Sequence, residues 1–227
     1  MSKKFYYASK VTNGLALFDD KLPKQTKDKL QLTEASLRMA TPHYQGVILN
    51  DYLKRLELKY PVFYDCTANI GGNFCTIVAS GMFKEYHAYE IGTETFKVLK
   101  NNVEAIFGQR DNIFLHNEDS VPIIGKDQEA VYLIDPPWGM DYKKDAVISD
   151  LILGRSSVLA LSMGRGLIIF KLPYNFDTTS LRGCTLRLVD KQKKDIYKYF
   201  FIGLDNKNSK TVETKRYDFW SAEHSLK

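Results

Sequence analysis

Apolar positions recur along the chain in two rhythms. Short, nearly unbroken apolar runs appear at Val62-Phe63-Tyr64, Tyr86-His87-Ala88-Tyr89, Ile113-Phe114-Leu115, Ala130-Val131-Tyr132-Leu133-Ile134 and Leu167-Ile168-Ile169-Phe170. Between them lie stretches with helical spacing. After Thr93, Phe96, Leu99, Val103 and Ile106 fall on one face, and Gly108 stops the pattern. A run such as Ala130–Ile134, with no polar alternation, is what a strand buried on both faces requires. Strands alternating with helices predict a doubly wound, mostly parallel α/β sheet. A further helix is expected from about residue 148 to 162. Thr185–Val189 and residues 197–202 read as paired strands closing the sheet.

The first 45 residues follow neither rhythm. Lys3-Lys4-Phe5-Tyr6-Tyr7 and Lys10 interleave bases with aromatics, and the lysine-rich stretch 21–29 contains Pro23, so it reads as an exposed loop or a helix start. Helical spacing runs from 33 to 58, broken at Thr41-Pro42, where threonine can cap and proline can take the first helical position. The stripe beyond it is Val47, Leu49, Tyr52, Leu53 and Leu56. A short amino-terminal extension, 1–45, followed by one α/β domain, 46–227, is the expected organisation.

Composition narrows the function classes. Three cysteines, Cys66, Cys75 and Cys184, show no CxxC spacing, so neither a disulfide framework nor a metal site is indicated. No apolar run approaches membrane-spanning length and the opening residues lack a signal-peptide pattern, so a soluble, intracellular monomer is expected. A net charge of +5 permits a polyanionic partner such as RNA without singling one out.

The chemistry concentrates at strand ends, where open α/β sheets bind ligands. Val62–Asp65 ends in an acid and passes into Cys66-Thr67-Ala68-Asn69-Ile70-Gly71-Gly72, whose glycines allow close backbone approach and whose following helix offers N–H donors to an anion. Glu90 closes the second strand and stands where Rossmann-type sites place the acid for two ribose hydroxyls. Asp119, after the third strand, is suited to accept from an adenine amine. Each also reads as an ordinary turn, helix-start acid or loop carboxylate; their order along the chain is what carries the signal. After the fourth strand comes Asp135-Pro136-Pro137-Trp138. The two prolines fix φ and donate nothing, leaving one carboxylate, bare carbonyls and one flat aromatic face, a clamp for a planar amine such as a nucleobase.

This ordered set resembles the class I S-adenosylmethionine-dependent methyltransferases, and Asp135-Pro136-Pro137-Trp138 resembles the [DNS]-P-P-[YFW] motif of those that methylate exocyclic base amines. Within them the sequence is most similar to the trimethylguanosine synthases, which act on N2 of a 7-methylguanosine RNA cap. Phe18-Asp19-Asp20, Ala40-Thr41-Pro42, Gly71-Gly72-Asn73, Asn101-Asn102, Pro136-Pro137-Trp138-Gly139 with Asp141-Tyr142, and Leu172-Pro173 with Asn175 carry the likeness, over about residues 13 to 177. Asn69 stands where a glycine is usual, Glu90 where aspartate is, and Met140 replaces a second glycine.

The resemblance implies a Rossmann-like fold with a mostly parallel seven-stranded sheet, helices on its faces and a short helical amino-terminal extension. It implies S-adenosylmethionine as cofactor, held by Thr41, Asp65, Thr67, Gly71, Glu90, Asp119 and Asp135. Catalysis falls to Asp135, Pro136 and Trp138, and a capped RNA to Pro137, Trp138, Lys10, Lys171 and Asn175; Lys3, Lys4, Lys10 and Lys171 are candidates for triphosphate contact and read equally well as solvated surface. Stacking on Trp138 is worth about 1–3 kcal/mol, and a cationic 7-methylguanine adds about 0.5–2 kcal/mol. Two alternatives stay open: a methyltransferase for adenine N6 or guanine N2 at internal bases of RNA or DNA, and an inactive cap- or RNA-binding module of the same fold.

Overall fold

The computed structural model describes residues 5–55, 59–139, 146–173, 175–181, 184–189 and 199–205. The chain divides into two compact units, Met1–Ser120 and Val121–Lys227.

In the first unit, strand β1 (Phe5–Tyr7) pairs antiparallel with β2 (Gln31–Thr33). Two 3-10 turns and the four-residue helix α1 (Lys24–Lys27) lie between them. Another four-residue helix, α2 (Ser36–Met39), leads to α3 (His43–Arg55). The expected break at Thr41-Pro42 is present. The extension expected to be helical instead contains a two-stranded sheet, because Tyr6 and Leu32, opposed in register, face a common core. That core joins Ala8, Leu17, Phe18, Leu30 and Leu32 to Ile70 and Val98. Burying these apolar surfaces stabilises the unit by roughly 1.5–3 kcal/mol per large side chain.

The parallel strands β3 (Val62–Asp65), β4 (Glu85–Tyr89) and β5 (Ile113–His116) follow, in the order β3-β4-β5. Helix α4 (Gly72–Ala79) connects the first pair and α5 (Thr93–Phe107) the second. The α5 stripe appears as read, with Val98, Leu99 and Val103 buried, and Gly108 ends it at positive φ. Helix α3 buries Leu49 and Leu53; the side chain of Tyr52 and all of Leu56 lie outside the described residues.

The second unit opens with β6 (Ala130–Ile134), buried at every position. It pairs in parallel with β9 (Leu167–Pro173), also buried throughout. Antiparallel β10 (Cys184–Val189) and β11 (Tyr199–Asp205) complete the order β6-β9-β11-β10, so the expected closing strands are present. The helix expected over residues 148–162 is not. Strands β7 (Ile152–Leu153) and β8 (Ser156–Ser157) form a hairpin there, and only α6 (Val158–Leu161) is helical. Gly154 turns the chain at a φ of 60°, and Ser157, in extended conformation, caps α6 by accepting from the Ala160 N–H at 3.0 Å. Local turn and cap chemistry therefore override the apolar spacing. Among the described residues no helix is long and apolar enough to cross a membrane.

Candidate active site

The ends of β3, β4 and β5 are stitched together by their loops. Asp65, 2% exposed, accepts from the Thr67 N–H at 3.2 Å and so starts the turn after β3. The turn then closes through two residues at positive φ, Asn69 at 50° and Gly71 at 95°. Gly71 is the residue type this conformation favours, and Asn69 tolerates it where most side chains are strained. The Ala68 N–H donates to the Tyr89 carbonyl, anchoring the turn to the end of β4.

Glu90 sits in the next loop. Its carboxylate accepts from the Gly92 N–H at 2.7 Å and from the Asn69 N–H, linking the two loops. Burial raises its pKa above the ordinary value, and the two N–H donors offset part of that rise. A carboxylate offers about four lone-pair sites, so two backbone bonds leave capacity for a diol. The third loop is tied in as well. Asn117 Nδ2 donates to the Glu90 carbonyl at 2.8 Å, and Ser120 Oγ, buried, to the Cys66 carbonyl at 2.7 Å. Asp119, between them, is exposed. The two turn cysteines are buried; burial raises both thiols, with the Asp65 charge adding to it, so neither is a nucleophile.

The amino-terminal segment approaches this turn closely. A Cβ on Gly72 would stand 2.8 Å from the Thr41 carbonyl oxygen and 3.3 Å from that of Leu17, so only glycine fits. Thr41 itself is buried. His43 Nδ1 lies 2.9 Å from Thr76 Oγ1, and that hydroxyl donates to the Gly72 carbonyl. Asp19 lies 3.9 Å from the other His43 nitrogen. The Phe-Asp-Asp and Thr-Pro motifs thus converge on the glycine turn from the far end of the sequence. Asn102, fully buried, completes the anchoring. It accepts from the Gln31 N–H at 2.8 Å and donates to the carbonyls of Gln31 and Ile70 at 3.0 Å each. Sequence reasoning marked the Asn101-Asn102 pair but not this role, and it missed Asn117 and Ser120, whose partners are backbone carbonyls with no sequence signature.

In the second unit, β6 delivers Asp135 to its carboxyl end. Pro136 is buried, Pro137 exposed and Trp138 half-buried. The parallel register Ile134↔Phe170 sets the following residues, Asp135 and Lys171, side by side. Lys171 Nζ donates to Asp135 Oδ2 at 2.8 Å. Lys171, expected to contact phosphate, is only 6% exposed, because β9 is buried at every position and a buried ammonium requires a charged partner. The same ammonium lies 5.9 Å from the centroid of the Trp138 ring. Asn175 Nδ2 donates to the Ala146 carbonyl. In the first unit, Lys10 is exposed at the end of a 3-10 turn. Lys3, Lys4, Met140, Asp141 and Tyr142 lie outside the described residues.

No protein-family model matches the sequence, and no curated protein does. Solved structures do resemble it. One from Listeria monocytogenes, described as a class I S-adenosylmethionine-dependent methyltransferase, aligns at TM-score 0.53 and 12% identity, over 78% of this chain and 65% of that one. Magnesium protoporphyrin IX methyltransferase from Synechocystis PCC 6803, solved with bound S-adenosylmethionine, aligns at TM-score 0.52 and 7% identity, over 85% and 89%. A type I restriction-modification methyltransferase subunit from Streptococcus thermophilus aligns at 0.51 and 16%, over 74% and 44%. At these identities the likeness establishes the fold: an α/β, Rossmann-like class I methyltransferase fold, with β3, β4 and β5 in parallel pairing in the first unit and β6 and β9 in the second.

Proposed function

We propose that this chain transfers a methyl group from S-adenosylmethionine to the exocyclic N2 amine of a 7-methylguanosine RNA cap. The observation that carries the reading is the Asp135-Pro136-Pro137-Trp138 segment at the end of a fully buried strand, with its carboxylate held by Lys171. The loops after β3, β4 and β5 suit the methyl donor. Glu90 has lone pairs left for the ribose hydroxyls, Asp119 is exposed for the adenine amine, and the Gly71-Gly72 turn leads into backbone N–H groups at the start of α4. Thr41, Asp65 and Thr67 shape that turn. When bound, the donor supplies an electrophilic methyl group on a sulfonium.

The chain's own groups then position the acceptor. A guanine amine is a poor nucleophile because its lone pair is delocalised into the ring. Asp135 and the Pro136 carbonyl would accept its two N–H bonds and leave the lone pair directed to form the new N–C bond, while the methyl C–S bond of a bound donor breaks and a thioether leaves. The excess proton passes to solvent after transfer, with Asp135 stabilising the cation that develops. Trp138, flanked by exposed Pro137, stacks on the base, and a cationic 7-methylguanine gains a cation–π contribution that plain guanine lacks. Lys10 in the first unit and Asn175 in the second are each proposed as RNA contacts.

The test is incubation with labelled methyl donor and 7-methylguanosine triphosphate, followed by mass analysis of the product. Label on the base N2 supports the reading. Label on the ribose, turnover of adenine or internal guanine alone, or donor binding without turnover of any acceptor overturns it.

A further inference from the structure

Lys171 is a lysine in a strand where every other described residue is apolar and buried, and its ammonium lies 2.8 Å from the acid of the proposed clamp and 5.9 Å from the clamp's aromatic ring. We propose that Lys171 is the positioning residue of this site: it orients the Asp135 carboxylate, balances its charge, and sets the Trp138 ring relative to both, without touching RNA phosphate. The inference rests on methyl transfer to a base amine and deepens it.

Parallel pairing of β6 with β9 in the register Ile134↔Phe170 places Asp135 and Lys171 level. Asp135 directly follows the last residue of buried β6 and Lys171 lies within buried β9, and with the carboxylate 19% and the lysine side chain 8% exposed, their separate hydration is limited. Opposite charges in such surroundings fix one another's geometry, and removing one leaves the other misplaced. The carboxylate then presents itself to an amine in one orientation. A free Asp135 on a loop between two prolines and a strand end would sample several rotamers, and misplacement of about 1 Å costs on the order of 10²-fold in rate. A lysine held this way by an acid is not placed to follow a flexible triphosphate, which is the work of exposed lysines such as Lys10.

The experiment is a double-mutant cycle on the full chain, with Lys171→Met, Asp135→Asn and the double variant, each assayed on 7-methylguanosine and on its triphosphate. Lys171→Met is expected to lower kcat by about 10- to 100-fold on both acceptors, with KM for the methyl donor unchanged. In the Asp135→Asn background the same change is expected to cost less than about threefold, because the charge it serves is gone. Lys171→Arg, which keeps the charge in an altered shape, is expected to recover part of the rate. Multiplicative effects in the cycle overturn the inference, as does a loss confined to the triphosphate. Should Lys171→Met fail to fold, the neutral double variant and Lys171→Arg carry the comparison. Wild-type turnover of a different base amine overturns the cap reading alone, and the cycle is then run on that amine; no turnover of any base amine overturns both.

Discussion

Replacing Asn102 with alanine removes one side chain and strands three backbone groups. Asn102 is fully buried and bonds the N–H and carbonyl of Gln31, 71 residues away, and the carbonyl of Ile70 immediately before the glycine turn. A buried polar group left unpaired costs about 1–3 kcal/mol. Gln31 is half-buried, so water can partly replace its two bonds, at roughly 1 kcal/mol each, whereas Ile70 is fully buried and its carbonyl stays orphaned at about 2 kcal/mol. The expected loss is about 3–4 kcal/mol, a large fraction of the roughly 5–15 kcal/mol of a typical domain. The neighbouring Asn101 donates to the Lys29 carbonyl from an exposed position, so Asn101→Ala should cost about 0.5 kcal/mol or less. Urea unfolding of both variants against wild type measures the difference. A loss below about 1 kcal/mol for Asn102→Ala, or equal losses for the two, would refute the view that Asn102 clamps the amino-terminal sheet to the glycine turn.

Three further outcomes are expected. Gly72→Ala places a Cβ 2.8 Å from the Thr41 carbonyl oxygen, a backbone atom that cannot rotate away, so it should destabilise by about 1–3 kcal/mol and weaken donor binding by calorimetry. Asp135→Ala and Trp138→Ala should both abolish methyl transfer while S-adenosylmethionine still binds; loss of donor affinity in the tryptophan variant would show that Trp138 serves the wrong ligand. Stability should fall on acidification. Burial lowers His43, His87 and His116 below their ordinary 6.5, with the nearby His116 adding to the shift at His87 and the acids Asp19, Glu85 and Glu118 opposing it. The unfolded chain therefore takes up protons first, and the contribution of these imidazoles, present above pH 6.5, is lost as pH falls through 6.5 and on through the lower folded values. Glu90 works in the opposite sense, since its raised pKa contributes stability below its ordinary 4.5 that is lost as pH rises through the folded value. Melting temperature followed from pH 8 to 5 should decline for wild type and decline less for His116→Phe, whose ring can keep the stack on Tyr89 at a 4.3 Å centroid distance.

Much of the frame was legible in the chain. Apolar runs place β3 through β6 and β9, least interrupted in β6 and β9, which are buried at every position. The acids closing those runs were legible too, and Asp65 and Glu90 are held by N–H groups of their own loops. Where local chemistry competed with pattern, the sequence misled: Gly154 and the Ser157 cap make a hairpin from residues whose apolar spacing reads as helix, and the aromatic start of the chain pairs as strand. What no local pattern could supply is contact across long separations. Asn102 finds Gln31, the Thr41 carbonyl closes on Gly72, and Lys171 meets Asp135 only because the β6–β9 register sets them level. The chain alone therefore determined which residue types stand at the strand ends. Register and burial decided which are held, and turned a lysine that reads as a phosphate contact into the partner of the acid it faces.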